Sequence, residues 1–308
     1  MISSGRLDQL ETRFADQLAF DQPLAKYTSA RVGGSADVML TAQSAAQLAE
    51  MATVLWQLEL PFIVLGGGSN LLISDAGVRE VVILNKARRV EFDSSVPSVW
   101  AESGSNFGAI ARQAGRKGYT GLEWAAGIPG TVGGAVVGNA GAHGGDTAGN
   151  LILAEVLHHT QGRQKMSPED LKYQYRTSSL KQQPGEAVVL SASFGLTHGN
   201  IPEIKEKMEE FLAFRKRTQP PGASMGSMFK NPPGDHAGRL IEAAGLKGIR
   251  MGAAQISDLH ANFFINHGSA NAEDVYSLIC KAQNTVKEKF GVQLELEIGL
   301  VGEWKKNG

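Results

Sequence analysis

The sequence predicts an α+β protein with about two domains. Its 308 residues are long for a single compact core. Helical periodicity and short apolar strand patterns occur in both parts of the chain without a regular βαβ alternation, which favours α+β. Glycine contributes 37 residues, and many of them cluster in two stretches. We therefore expect an ordinary globular framework that carries two special backbone segments.

Composition and charge exclude several classes of partner. Apolar residues make up 42% of the chain and charged residues 20%, as in ordinary soluble globular proteins. The net charge is −1, from 30 basic and 31 acidic residues. A balance so close to zero provides no broad basic surface for nucleic acid, and we expect no nucleic-acid partner.

Cysteine and histidine usage argues against covalent cross-links and metals. Cys280 is the only cysteine, which excludes an intramolecular disulfide and any site with several cysteine ligands. The seven histidines lack metal-ligand spacing, so we predict no metal. The N-terminus lacks the apolar core of a signal peptide, and no stretch of about 18 apolar residues occurs. We expect a cytoplasmic protein without a membrane partner.

The first predicted domain covers residues 1–200. Leu48, Met51, Leu55 and Leu58 have helical spacing, and the apolar segment PFIVL then leads into three glycines. Further elements follow from the same periodicity arguments. The predicted helices cover 42–60 and 106–118, and the predicted strands cover 61–65, 79–85, 151–160 and 186–196.

The second predicted domain, residues 201–308, begins with a strongly amphipathic helix over 201–217. Its apolar side carries Ile204, Met208, Phe211 and Leu212. Further helices are predicted over 236–245 and 272–290, and strands over 261–266 and 292–302. For the 272–290 helix, the predicted N-cap is Asn271 and the predicted apolar stripe is Val275, Leu278, Ile279, Ala282 and Val286.

The first glycine cluster is LGGGSNLL, residues 65–72. Consecutive glycines allow close backbone approach and can present N–H groups to an anion. No Lys-Ser or Lys-Thr pair follows, so this is not a Walker A loop, and leucine at position 71 breaks the G-x-G-x-x-G pattern. Taken alone, the cluster favours a tight turn over a phosphate cradle.

The second cluster is GIPGTVGGAVVGNAGAHGGD, residues 127–146. Ordering so many glycines is entropically costly for a mere connector, and Ile128, Val132 and Val136 are too apolar for a solvated linker. We expect the 127–149 region to be irregular, since it is too rich in glycine for a stable helix or strand. A large ligand with a phosphate-bearing arm would explain both clusters.

These segments resemble a known family. Six motifs occur in the order found in UDP-N-acetylenolpyruvoylglucosamine reductases, flavoenzymes of peptidoglycan precursor synthesis, over about Thr28 to Gly302. The motifs are LGGGSNLL, GIPGTVGGAVVGNAGA, YRTSSL, GSMFKNP, AGRLIEAAGLKG and LELEIGLVG. The chain is similar to the shorter form of the family, because the tyrosine-bearing insertion of the long form has no counterpart before residue 200.

The resemblance implies a fold and two cofactors. It implies an FAD-binding domain of the vanillyl-alcohol-oxidase type, a smaller substrate-binding domain, non-covalent FAD, and NADPH as the reductant. The residues expected at FAD are Gly66, Gly67, Gly68, Ser69, Asn70, Gly127, Ile128, Pro129, Gly130, Thr131, Gly133, Gly134, Asn139, Ala140, Gly141 and Ala142. The implied reaction reduces the enolpyruvyl ether of a UDP-sugar to UDP-N-acetylmuramate, and we expect a monomer.

Three residues match the family's catalytic positions. Arg176 matches the arginine that binds the enolpyruvyl carboxylate, Ser227 the serine that protonates the substrate carbon, and Glu297 the acidic residue beside the forming enolate. The last strand, about 292–302, would return Glu297 to the flavin. Without the motifs, the preferred interpretation of Arg176 is a surface arginine at a strand end. Glu297 and Glu295 fit a solvent-facing glutamate on an alternating strand equally well, and only the motif register selects Glu297. The expected substrate contacts are Tyr175, Lys230, Asn231 and His260.

The sequence departs from the family at a few of these positions. Histidine stands at 143 where tyrosine is common, and glycine at 138 where a larger side chain is usual. The contact of His260 with the uridine also stays open. Two alternative functions remain: another FAD oxidoreductase of the same fold, and a nucleotide-sugar binding module without turnover. The motif GSMFKNP and the glutamate-bearing last strand argue against the first, and the combination of Arg176, Ser227 and Glu297 argues against the second.

Overall fold

The computed structural model describes residues 2–304, which divide into two compact units. Unit 1 contains the chain up to Phe20, Val38–Gly67 and Glu80–Phe214. Unit 2 contains Asp21–Asp37, Gly68–Arg79 and the chain from Arg215 onward. The division therefore falls after Phe214 instead of near residue 200, and two early segments join unit 2. Contacts between segments distant in sequence decide this division, and local composition does not report them.

Unit 1 alternates helices with strands. Its elements are α1 (Ser4–Phe14), β1 (Leu18–Pro23), β2 (Ser35–Ala42), α2 (Ala45–Gln57), β3 (Phe62–Leu65), β5 (Val81–Asn85), β6 (Val90–Asp93), β7 (Ser98–Glu102), α3 (Phe107–Arg116), β8 (Tyr119–Thr120), α4 (Val132–Gly138), β9 (Gly141–Ala142), β10 (Gly145–Asp146), α5 (Thr147–Asn150), β11 (Leu151–His158), β12 (Gly162–Met166), α6 (Ser179–Gln182), β13 (Ala187–Gly195), β14 (Thr197–His198) and α7 (Ile201–Thr218).

Two sheets form the framework of unit 1. One has the order β1-β2-β5-β3, in which β5 pairs in parallel with β2 and β3. The other is antiparallel with the order β12-β11-β13-β7-β6. The apolar side of α2, including Leu48, Met51 and Leu55, is buried in the core beside the first sheet. A second core in unit 1 joins α3 and α4 to the antiparallel sheet.

The second glycine cluster contains a helix, so the prediction that 127–149 is irregular is wrong. Helix α4 occupies Val132–Gly138, with the Thr131 hydroxyl accepting a hydrogen bond from the Gly134 N–H as its N-cap. Val132, Ala135 and Val136 are buried on one side. Burial of this apolar stripe offsets the low helix propensity of the glycines, because tertiary packing supplies most of the stability of short helices.

Unit 2 is built around a three-stranded antiparallel sheet and a long helix. Its elements are β4 (Leu71–Ile73), α8 (Ala237–Ala243), β15 (Arg250–Met251), β16 (Ala254–Ile256), β17 (Phe264–Asn266), α9 (Ala272–Phe290) and β18 (Gly299–Val301). The sheet order is β15-β16-β17, and β18 pairs in parallel with β4. The predicted helix over 272–290 is confirmed, including the Asn271 cap, which forms a capping box with Asp274.

Most of the residues on the predicted apolar faces are buried. All five residues of the predicted α9 stripe are buried. On α7, Ile204 and Met208 are buried and Phe211 packs against the core, but Leu212 is 38% exposed, so its assignment to the buried side is wrong. The predicted strand over 292–302 shortens to Gly299–Val301, although Leu294 and Ile298 are buried as the alternation required. Mixed helices and strands in both units confirm the α+β class.

Candidate active site

The two glycine clusters meet in unit 1. A Cβ built on Gly66 would lie 2.5 Å from the Thr131 hydroxyl oxygen, and one on Gly67 would lie 3.1 Å from the Gly130 Cα. The loop after β3 therefore runs against the loop of residues 127–131 that leads into α4. Glycine is required at Gly66 because any side chain would displace the cap of α4.

Backbone hydrogen bonds hold the start of α4. The Val132 N–H donates to the Ser105 carbonyl at 2.9 Å, the Gly133 N–H to the Ser103 carbonyl at 2.8 Å, and the Phe107 N–H to the Gly130 carbonyl at 3.2 Å. Gly134 is exposed and, beyond its chain neighbours and helix, its Cβ position has only the Thr131 hydroxyl nearby, at 3.7 Å. The surface of this region is therefore largely backbone.

The division between the units falls inside the first glycine loop, since Gly68, Ser69 and Asn70 belong to unit 2. Gly68 has a φ of +55°, and a Cβ there would lie 2.0 Å from the Tyr27 carbonyl oxygen. The Ser29 N–H donates to the Gly68 carbonyl at 3.0 Å. Close backbone packing thus explains this third glycine without reference to a ligand.

Arg176 lies in a tight turn of unit 1. The backbones of Gln174 and Thr177 exchange two hydrogen bonds of 3.2 Å, so Tyr175 and Arg176 are the central residues of the turn. Arg176 has a φ of +58°, and its Nη2 donates to the Gly141 carbonyl at 2.7 Å. A left-handed non-glycine residue costs about 1–2 kcal/mol, which the surrounding hydrogen bonds must offset.

The segment 139–142 supports this turn. Asn139 is buried and left-handed. Its side-chain amide donates to the Gln174 carbonyl at 3.2 Å and to Asp146 at 3.3 Å, and its oxygen accepts from the Ala148 N–H at 3.0 Å. Its side chain is therefore engaged within the protein, and the sequence motif alone did not show this structural function.

Ser227 and Glu297 lie on neighbouring backbone segments of unit 2. The Glu297 N–H donates to the Met228 carbonyl at 3.0 Å, and Phe229 forms an isolated antiparallel bridge with Leu296. Asn70 joins them, because its side-chain amide donates to the Glu297 carbonyl at 3.1 Å. Three predicted site residues, separated by up to 227 positions, are thus brought together. Arg176 belongs to unit 1.

The other side of the Ser227 segment is fixed by a residue that the sequence analysis missed. The Asn262 side chain is buried, accepts from the Phe229 N–H at 2.9 Å and donates to the Phe229 carbonyl at 2.8 Å. The Met228 N–H donates to the Asn262 carbonyl at 2.8 Å. An asparagine inside the apolar segment ANFFIN was the available signal, because buried amides are normally hydrogen-bonded.

The three predicted substrate contacts of unit 2 are held in different ways. Lys230 forms an ion pair of 3.4 Å with Glu295, and Asn231 accepts from the Ala237 N–H at 3.1 Å at the start of α8. His260 accepts from the Asn262 N–H through Nδ1 at 3.2 Å. Burial, with Lys247 as a further cause, lowers the pKa of His260 below its usual 6.5, which favours the neutral ring.

A buried hydroxyl lies near the Arg176 turn. Within residues 2–304, Tyr173 Oη has no hydrogen-bond partner although the atom is inaccessible to solvent. Burial and then Asp146 raise the pKa of Tyr173 above its ordinary range. An unsatisfied buried hydroxyl of this kind fits a place where a bound molecule or water completes the site.

Metal-site clusters and membrane-spanning helices are both absent from the described part of the chain. No group of three or more histidine, cysteine or acidic residues there has the arrangement of a metal site. Among residues 2–304, no helix combines the length and apolar character needed to cross a membrane.

The chain contains a flavin-binding domain. Residues 36–160 match the family model of an FAD binding domain, and residues 218–301 match the model described as UDP-N-acetylenolpyruvoylglucosamine reductase, C-terminal domain. This order confirms the predicted FAD-binding domain and the substrate domain that follows it.

Similar proteins extend the match to nearly the whole chain. The UDP-N-acetylenolpyruvoylglucosamine reductase of Chloroflexus aurantiacus is 42% identical over 91% of this chain and 96% of its own length, and that of Bacillus subtilis is 37% identical over 96% and 98%. The crystal structure of the Thermus caldophilus reductase superposes with a TM-score of 0.79 at 38% identity, covering 93% of this chain and 98% of that one. The chain belongs to the UDP-N-acetylenolpyruvoylglucosamine reductase family.

Proposed function

We propose that this protein reduces the enolpyruvyl ether of UDP-N-acetylglucosamine to UDP-N-acetylmuramate, with FAD as its cofactor and NADPH as the reductant. Within the structure, the observation that carries the proposal is the pairing of the Ser227 and Glu297 segments, which brings a hydroxyl-bearing and a carboxyl-bearing residue onto adjacent backbone. Family membership supplies the reaction class.

The glycine clusters fit FAD as a backbone-lined surface. Gly66 and Gly67 lie close to residues 130 and 131, and Gly134 is exposed. Few side-chain atoms therefore lie where a cofactor would bind. We propose that residues 66–70 contact the pyrophosphate of FAD. The flavin and its phosphates would be contacted by 127–131, Gly133, Gly134 and 139–142. The internal hydrogen bonds of Asn139 restrict its contribution to the backbone. When bound, FAD supplies hydride-transfer chemistry.

Arg176 is proposed to bind the enolpyruvyl carboxylate. Hydride addition to the terminal carbon of the double bond moves the electron pair towards that carboxylate, so negative charge accumulates there. A guanidinium can donate two parallel hydrogen bonds to a carboxylate and stabilise this charge. The bond to Gly141 and the tight turn hold the arginine in place before substrate binds, which reduces the reorganisation needed in the transition state.

Ser227 is proposed to deliver the proton. The carbon that bears the carboxylate must gain one proton to complete the reduction, and the Ser227 hydroxyl is the donor. Serine is a weak acid, but a hydroxyl fixed at short range can compensate by position. Its neighbours Met228 and Phe229 are buried and held by Asn262, and this keeps the segment in one conformation.

Glu297 is proposed to act as a neutral acid beside the enolate. An ionised carboxylate there would repel the developing charge, whereas a protonated one can donate a hydrogen bond. Glu297 is partly buried, and the proposed role requires its carboxyl group to be protonated when the substrate is bound. Tyr175, Lys230, Asn231 and His260 are the proposed substrate contacts. We further propose that the enzyme is monomeric and cytoplasmic.

Anaerobic spectroscopy of the purified protein tests this function. We expect a flavin absorbance that NADPH bleaches and that the UDP-enolpyruvyl sugar restores, with one UDP-N-acetylmuramate formed per flavin reoxidised. Protein without bound flavin that cannot be reconstituted would indicate a binding module. Reoxidation by oxygen but not by the sugar would indicate an oxidase, and either result would contradict the proposal.

A further inference from the structure

We propose that His143 is a positioning residue for Arg176 and acts through the β9–β10 hairpin. The inference rests on the proposed function, because that function gives Arg176 its carboxylate ligand.

The tip of the hairpin is fixed by an aromatic stack. His143, with a φ of +53°, and Gly144, with a φ of +82°, connect β9 to β10. The His143 ring stacks on Phe211 of α7 with centroids 4.3 Å apart and 9° between planes, and meets the edge of Phe214 at 5.7 Å. These contacts offset the cost of a left-handed non-glycine residue at the tip.

The base of the same hairpin and the α4 C-cap two residues before it each contact the Arg176 turn. The Gly141 carbonyl accepts from the Arg176 guanidinium, and the Asn139 amide donates to the Gln174 carbonyl. Only Ala142 separates Gly141 from His143 in the sequence. A hairpin pinned to α7 at its tip therefore holds the Gly141 carbonyl at one position, and that carbonyl orients the guanidinium.

A purely structural role for His143 predicts a different outcome from a positioning role. Loss of packing would lower the stability of unit 1 and affect every step that depends on it. Loss of positioning slows only the step that uses Arg176, because NADPH oxidation does not involve the enolpyruvyl carboxylate. The two half-reactions therefore separate the two roles.

The experiment compares His143→Ala with His143→Phe, which keeps a stacking ring. We expect His143→Ala to slow flavin reoxidation by the UDP-enolpyruvyl sugar about tenfold or more, the scale of a small misplacement of a catalytic group. Flavin reduction by NADPH should stay within about twofold of the unmodified protein, and His143→Phe should restore reoxidation. If His143→Ala fails to retain flavin, His143→Leu replaces it, since leucine keeps apolar bulk without the stacked ring.

A matched control is available in the same unit. His159 stacks on Trp56 with centroids 5.2 Å apart and 22° between planes, away from the hairpin residues named above. His159→Ala removes an equivalent histidine stack, and we expect both half-reactions to keep their rates. Thermal unfolding of all variants measures the packing contribution separately.

A double-mutant cycle completes the test. In an Arg176→Ala background, His143→Ala should slow reoxidation no further, since the group that it positions is gone. Additive effects in the cycle, or equal slowing of both half-reactions by His143→Ala, would overturn the inference. If the unmodified flavoprotein is not reoxidised by the sugar at all, the proposed function fails and this inference fails with it. If the sugar reoxidises the unmodified flavoprotein but the effects of the two substitutions are additive, the positioning role of His143 is refuted and the proposed function stands.

Discussion

The guanidinium of Arg176 is hydrogen-bonded to the backbone of Gly141. Arg176 Nη2 donates to the Gly141 carbonyl at 2.7 Å, and a Cβ on Gly141 would lie 3.1 Å from Nη1 and 2.8 Å from the Asp146 Cβ. A side chain at position 141 would therefore have to displace β10 or shift the guanidinium, whether or not Gly141 also contacts a cofactor.

Gly141→Ala should consequently impair both folding and activity. The added methyl group must push the guanidinium or the β10 backbone aside, at a cost of about 1–3 kcal/mol of unfolding free energy for overpacking. We expect a lower urea midpoint and a fall in kcat/KM for the UDP-enolpyruvyl sugar. An unchanged kcat/KM in a folded, flavin-loaded variant would show that Arg176 does not depend on this contact.

Ser227→Ala separates the two halves of the reaction. We expect NADPH to reduce the flavin at the normal rate, while reoxidation by the sugar slows by about 10²–10⁴-fold, the usual contribution of a general acid. Stopped-flow absorbance under anaerobic conditions measures both rates. Normal reoxidation in this variant would rule out Ser227 as the proton donor.

Substitutions of Glu297 test whether it acts as a hydrogen-bond donor. Glutamine keeps a donor of similar shape, whereas alanine removes it, so Glu297→Gln should retain more activity than Glu297→Ala by about tenfold or more. Steady-state kcat for the two variants gives the comparison. Equal losses would contradict the neutral-acid role and favour a function that needs the carboxyl group itself.

Gly134 and Gly138 form a matched pair on one helix. Beyond their helix and chain neighbours, Gly138 has no atom within 4 Å of its Cβ position, and Gly134 has only the Thr131 hydroxyl at 3.7 Å. Alanine at either position should raise the unfolding free energy of the flavin-free protein, by about 0.5–1 kcal/mol for a helical site. Only Gly134→Ala should weaken flavin binding, measured by fluorescence titration of the apoprotein. Equal flavin affinities would remove Gly134 from the cofactor site.

His260 should make the protein less stable in acid. Because burial lowers its pKa below 6.5, the unfolded chain binds the proton at a higher pH than the folded protein does. The contribution of His260 to stability is therefore complete above about pH 6.5 and is lost as the pH falls through the folded-state pKa. Between pH 8 and pH 5, His260→Gln should lose less unfolding free energy than the unmodified protein. Identical pH profiles would contradict this linkage.

Periodicity in the sequence was sufficient for the long elements. The α9 cap at Asn271 and its buried stripe follow from local signals, since capping and a 3.6-residue repeat act within a few turns. The high glycine content predicted no helix where α4 forms. The prediction was wrong because the burial of Val132, Ala135 and Val136, which stabilises the helix, is a tertiary effect. Leu212 is exposed for the same kind of reason: how much of an amphipathic face is covered depends on what packs against it.

The sequence by itself determined the α+β class, the two glycine clusters, the family and the identities of Arg176, Ser227 and Glu297, because motif and spacing are properties of the chain. Tertiary structure alone decided which residues support them. Three of the supporting hydrogen bonds join residues that are 33 to 35 positions apart in the sequence. They connect Asn262 with Phe229, Asn139 with Gln174, and Gly141 with Arg176. Hydrogen bonds over such separations depend on how strands and loops pack. A local signal such as the asparagine in ANFFIN can mark a residue as unusual, but it does not show which distant residue becomes its partner.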